Sequence, residues 1–190
     1  TQRGADIRCM AGMEQTYAVG MERFLREART LRQLNHVACV VRVTDFFEEN
    51  HTAYLVMEYL DGKNLKQMAA GFGGRIPPEV LLPAMAPIIR ALGQVHETGL
   101  IHRDVSPDNI MMLSDGTMRL IDFGNARDAS SGQPMTLAMK EGFAPVEQYR
   151  TRGQGTWTDV YSVCATIYYC LTGKLPTQAF DRLTGTPLPT

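Results

Sequence analysis

The chain of 190 residues holds 44% hydrophobic and 21% charged residues with a formal net charge of -1, the make-up of a globular protein with one substantial core, or one full lobe and part of another. A charge so close to zero offers no field to a polyanion, which excludes nucleic acid and anionic membrane surfaces as expected partners. Cys9, Cys39, Cys164 and Cys170 show neither CxxC spacing nor a disulfide-dense pattern and read as reduced, mostly buried cytoplasmic thiols. The longest nearly apolar run, VYSVCATIYYCL (160–171), is too short to cross a bilayer, so no membrane contact is expected of this segment.

In chain order, apolar Met21, Phe24, Leu25, Ala28, Leu31 and Leu34 recur at three- and four-residue steps and predict an amphipathic helix from Gly20 to Asn35. VVRVTDFF (40–47) and TAYLVMEY (52–59), rich in β-branched and aromatic residues and split by EENH, predict an antiparallel hairpin, followed by a turn at LDGKN. A long helix is expected from Pro78 to His96, lined by Leu81, Ala84, Ile88, Leu92 and Val95 and closed by Gly99. Pro83 and Pro87 inside it should kink it or delay its start. Two short strands, IMML and MRLID, flank SDG; a loop runs from Gly124 to about Phe143; a last helix spans Thr158, as N-cap, to Gly173.

On this map HRDVSPDN (102–109) is the loop between the long helix and the IMML/MRLID hairpin, and IDFG delivers Asp122 at the end of the second strand. Asp104, Asn109 and Asp122 therefore converge. Oxygen ligands on a loop and a strand end suit a hard cation such as Mg²⁺, which keeps water and substrate phosphate oxygens for the rest of its shell. Either triplet alone is a common turn; the two in order, on these elements, point to one site.

These motifs, with GFAPVEQY (142–149) and WTDVYSVCATIYYCLTGKLP (157–176), resemble the protein kinase family over nearly the whole chain, and the SPDN and APVEQY variants are most similar to the eukaryotic-like Ser/Thr kinases of bacteria. The resemblance implies an α+β two-lobe fold: a truncated N-lobe of helix plus hairpin over about residues 1–58, a hinge at 59–63, and an incomplete, mainly helical C-lobe at 64–190. It implies ATP-dependent phosphoryl transfer to Ser/Thr hydroxyls of a protein substrate, with Mg²⁺ or Mn²⁺ as the metal.

Carried over by resemblance, Asp104 takes or orients the hydroxyl proton, and Asn109 and Asp122 hold the metal that bridges the ATP phosphates. Glu27 pairs with the ATP-positioning lysine. In VMEYLDG, the Glu58 carbonyl and Leu60 N–H bind adenine, with Met57 at the back of the pocket and Met111 as its floor. Arg103 grips a phosphorylated activation-loop residue, with Thr136 the best placed and Ser130 and Ser131 behind it. His102 and Phe123 pack. Asp159 anchors the catalytic loop backbone, and Glu147 is expected to lack its usual arginine partner.

Two departures stand out. The family's catalytic-loop lysine is replaced by Ser106, a hydroxyl without charge beside the γ-phosphate, and Lys140 in MKEGFAP is the expected substitute cation. No Gly-rich phosphate loop or VAIK-like strand is present, and Lys63 is the first lysine in the chain. With Thr1 not an initiator and TGTPLPT trailing off, the expectation is a piece of a longer kinase, inactive by itself, whose parent could carry a membrane anchor elsewhere. The alternatives are a pseudokinase acting as a binding module and a small-molecule phosphotransferase of the aminoglycoside kinase type, which lacks an APE-like segment.

Overall fold

The structure is a computed structural model describing residues 12–128, 139–150 and 153–189. The chain divides into two compact units, Thr1–His36 with Val41–Tyr59, and Val37–Val40 with Leu60–Thr190.

In the first unit, α1 (Glu14–Gln33) packs on a hairpin of β1 (Val43–Glu49) and β2 (Thr52–Met57). Leu25, Ala28 and Leu31 form its buried stripe, while Phe24, expected there, is 37% exposed. The helix begins at Glu14 rather than Gly20. A carboxylate in the first turn favours the helix dipole, and a helical glycine costs only about 1 kcal/mol, too little to end the helix. The side-chain amide of Asn35 brackets Val43, accepting from its N–H at 2.9 Å and donating to its carbonyl at 2.8 Å. The EENH turn tightens to two residues, Asn50 and His51, with φ of 52° and 59°; positive φ at both central positions matches the twist of the strands they join.

Val40, expected in the first strand, belongs to the second unit. It bridges Leu120 in parallel, and Leu120 donates its N–H to Cys39 O at 2.6 Å, so β1 starts only at Val43. The LDGKN turn contains β3 (Gly62–Asn64), which joins β5 (Ile110–Leu113) and β6 (Met118–Leu120) in a sheet of order β3-β5-β6. Asn64 then caps α2 (Leu65–Gly71): its side chain accepts from Gln67 N–H at 2.8 Å and the Gln67 side chain accepts from Asn64 N–H at 3.0 Å.

α3 (Pro78–Glu97) keeps its start at Pro78 despite the two internal prolines. Pro83 and Glu79, whose carbonyl Pro83 leaves without a helical donor, are both exposed, so the lost bond falls on the solvent face of the helix. Leu81, Met85, Ile88, Leu92 and Val95 are buried toward α4 (Thr156–Thr172), β4 (Leu100–Ile101) and β6. Each such side chain contributes roughly 1.5–3 kcal/mol of apolar burial. β4 pairs with β7 (Arg127–Asp128). Gly155, not Thr158, is the N-cap of α4, because Thr158 sits one turn in and accepts the Gly155 N–H at 3.2 Å. Gly173 ends α4 at φ 71°, and α5 (Ala179–Leu183) follows. Among the described residues, no helix is long and apolar enough to cross a membrane.

Candidate active site

Residues 102–109 link β4 to β5, and their backbone is held from α4. The carboxylate of Asp159, fully buried, accepts the N–H of His102 at 2.8 Å and of Arg103 at 2.7 Å, and meets His96 Nε2 at 2.7 Å. Gln148 Nε2 donates to Arg103 O at 2.7 Å. These bonds clamp Arg103 from both sides at φ 68°, a left-handed conformation that costs a non-glycine residue roughly 1–2 kcal/mol.

His102 is fully buried and packs against Phe123, with centroids 4.4 Å apart and the ring planes tilted by 56°. Its Nδ1 accepts the Asp104 N–H at 3.2 Å and its Nε2 donates to Ile121 O at 3.1 Å, the pattern of a neutral ring. Burial pushes its pKa below 6.5, consistent with that neutral state.

Asp104 lies next in the loop. Asn125 Nδ2 donates to its Oδ2 at 3.3 Å, and Asn109 Nδ2 donates to its carbonyl at 2.9 Å. Burial pushes its carboxyl above the usual range, the Asp122 charge adds to the rise, and Lys140 opposes it. Asn109 O accepts the Ile121 N–H at 2.9 Å, which ties the loop to the strand end that carries Asp122. Asp122 is exposed at φ 60°, with Oδ1 accepting the Gly124 N–H at 3.2 Å.

Lys140 crosses to the loop from the later segment. Its Nζ donates to the buried Ser106 Oγ at 3.0 Å and to Asp108 Oδ2, while Lys66 Nζ lies 3.6 Å from Asp108 Oδ1. Lys140 O accepts the N–H groups of Phe143 and Ala144, both at 3.0 Å, so the lysine opens the GFAP turn. Ser162 Oγ donates to Phe143 O at 2.9 Å and packs that turn on α4.

The remaining expected residues are distributed as follows. Glu27, half-buried on α1, Met57, exposed at the end of β2, and Glu58 lie in the first unit; Glu58 exchanges bonds with Arg42, donating its N–H to Arg42 O at 2.9 Å and accepting the Arg42 N–H on Oε1 at 3.0 Å. Leu60 and Met111 lie in the second unit, Met111 on β5 opposite Asn64 and Arg119. The Arg103 guanidinium donates to Gln154 Oε1 at 2.6 Å and Asn125 O at 3.2 Å. Thr136, Ser130 and Ser131 lie outside the described residues. Glu147 accepts the Thr158 Oγ1 hydroxyl at 3.1 Å, a bond to α4 in place of the family's arginine.

Asp108, Asn125, Gln148 and Gln154 were not expected at the site. Asp108 stands inside the HRDVSPDN motif, Asn125 one residue past the DFG triplet and Gln148 inside GFAPVEQY, so motif adjacency is the available signal; Gln154 carries none.

The donor set fits a hard divalent cation: a neutral amide oxygen on Asn109 and the exposed carboxylate of Asp122, beside Asp104, whose own charge is disfavoured first by burial and then by Asp122.

A catalytic loop held by α4, a strand-end aspartate beside it and a later segment folded onto the loop define a protein kinase catalytic core. The family model of the protein kinase domain matches residues 9–185. The chain is 34% identical over 186 residues to the serine/threonine-protein kinase PknL of Mycobacterium tuberculosis, covering 92% of this chain and 46% of that protein. It is 36% identical over 181 residues to the serine/threonine-protein kinase pkn2 of Myxococcus xanthus, covering 90% and 20%. Among solved structures, PpkA-294 in its apo form superposes with a TM-score of 0.80 at 30% identity, over 95% of this chain and 64% of that one. The chain belongs to the protein kinase family, with the bacterial Ser/Thr kinases among its relatives, and its α+β fold is the kinase fold. It spans less than half the length of these curated relatives.

Proposed function

We propose that this chain is the catalytic part of a Ser/Thr protein kinase that transfers the γ-phosphoryl group of ATP to a protein hydroxyl. The observation that carries the reading is the tie between Asn109 O and the Ile121 N–H at 2.9 Å, which sets Asp122 beside the loop of Asp104 and Asn109. The substrate oxygen bonds to the γ-phosphorus as the bond to the ADP oxygen breaks, and Asp104 receives the hydroxyl proton. Its raised pKa makes it a better acceptor than an ordinary carboxylate. Asn109 and Asp122 would hold Mg²⁺ or Mn²⁺, which when bound neutralises phosphate charge. Lys140, bonded to Ser106, supplies the ammonium for the γ-phosphate in place of a loop lysine.

Nucleotide contacts by Glu27, Met57, Glu58, Leu60 and Met111 belong to the same reading and rest on the resemblance, as do regulation through Arg103 and a phosphorylated Thr136 and a cytoplasmic location. A protein substrate is favoured over a small molecule by the GFAPVEQY segment, whose Gln148 bonds the catalytic loop at Arg103 O.

The test is phosphate transfer from labelled ATP to a peptide library by the full-length protein. Asp104→Asn should slow transfer at least about 10²-fold, with phosphoserine or phosphothreonine as product. An Asp104→Asn protein as fast as the parent protein, or transfer only to small molecules, contradicts the proposal. Phosphopeptide mapping of active protein checks Thr136.

A further inference from the structure

A loop lysine is always present in its site, whereas Lys140 is 34 positions from Ser106 in sequence and reaches it only because its segment is folded onto the loop. Its backbone is fixed at the GFAP turn, where its carbonyl accepts the Phe143 and Ala144 N–H groups, and its ammonium reaches the loop at Ser106 and Asp108. One oxygen of Asp108 takes that ammonium while the other faces Lys66, and the same ammonium bonds the buried Ser106 Oγ. The Asp108 and Lys140 side chains are 33% and 35% exposed, so the pair is open to screening by salt.

We propose that Asp108 is a positioning residue that latches the Lys140 ammonium over the catalytic loop, so the cation needed for transfer arrives only when the segment carrying Lys140 docks. The inference rests on the phosphotransfer reading and deepens it: assembly of the site and docking of residues 139–150 become one event. Asp108 acts through Lys140 and makes no contact with the reacting atoms in this scheme. Lys66 faces the other oxygen of the same carboxylate at 3.6 Å, so Asp108 holds Lys140 with Oδ2 alone.

The test is a double-mutant cycle on the full-length protein, with kcat and KM for ATP and a peptide substrate and melting temperatures as the folding control. Lys140→Met is expected to lower kcat about 10²-fold, and Asp108→Asn about 10-fold with KM for the peptide little changed, because a neutral amide holds the ammonium less firmly. The double variant should be no slower than Lys140→Met alone, since Asp108 has nothing left to position. Raising salt should slow the parent protein and leave Lys140→Met unaffected.

Placing a lysine back in the loop supplies a second readout. Ser106→Lys in the Lys140→Met background should recover at least about 10-fold of the lost kcat, and Asp108→Asn should then be silent. Multiplicative losses in the double variant, or an unchanged kcat in Lys140→Met, overturn the proposal while leaving the kinase reading intact. A parent that transfers no phosphate removes both.

Discussion

The Asp159 carboxylate accepts the backbone N–H of Arg103 at 2.7 Å from a position with no solvent exposure. Its other oxygen serves His102 N–H and His96, so one side chain on α4 satisfies the strained start of the catalytic loop. Asp159→Ala leaves two buried N–H groups without an acceptor and should destabilise by about 3 kcal/mol. At roughly 2–4 °C per kcal/mol for a chain of this size, the melting temperature falls on the order of 10 °C. Asp159→Asn keeps one acceptor oxygen and should lose less. Equal melting temperatures for parent and Asp159→Ala would show the anchor to be dispensable.

His102 is buried as a neutral ring, which predicts an acid sensitivity of known sign. Its folded pKa lies below the ordinary 6.5. Between the two values the unfolded chain binds more protons than the folded one, so stability is complete above about pH 6.5 and declines as pH falls toward the folded value. Urea unfolding at a series of pH values should show this slope, and His102→Phe should flatten it even though the variant starts less stable. A steeper slope in the variant would contradict the assignment.

Two glycines should respond to alanine in opposite directions. At Gly173 the φ of 71° disfavours any side chain, and a Cβ would stand 2.6 Å from Gly74 O; Gly173→Ala should cost about 2 kcal/mol or more. At Gly20, inside α1, a Cβ meets nothing within 4 Å, so Gly20→Ala should stabilise by about 0.5–1 kcal/mol. Thermal melts of the two variants decide both.

The cysteines are not mostly buried as expected: among the described residues Cys39 is half-buried, Cys164 exposed and Cys170 fully buried, and burial pushes the Cys170 thiol pKa up to about 12. Cys170 should resist alkylation by iodoacetamide in the native protein at pH 8 and react once urea unfolds the chain. Mass spectrometry of the peptide containing Cys170 reads this directly; rapid modification in the native state would refute it.

The elements most legible in the sequence were those whose pattern is local. α3 and the β5/β6 hairpin follow from periodicity and turn chemistry, and the HRD and DFG triplets marked the neighbourhood of the site. α2 is also written locally, in the Asn64 and Gln67 capping box, but its 7 residues are too few to set up a helical stripe. Val40 could not be assigned from its neighbours: its β-branched run suits a strand, but the partner that captures it is Leu120, eighty positions away. Phe24 likewise fits the helical stripe, yet burial depends on what the hairpin presents to α1.

By itself the sequence determined the chemistry on offer: an aspartate, an asparagine and a second aspartate in family order, and a serine where a lysine is usual. That information is local, carried by residue identity and spacing. Only the tertiary structure decided that Lys140 reaches Ser106, that Asp108 shares its ammonium, and that Gln148 and Asp159 clamp Arg103. Each of those contacts joins residues 32 to 56 positions apart. No spacing rule encodes such pairs, because the packing of α4 and the GFAP turn against the loop creates them.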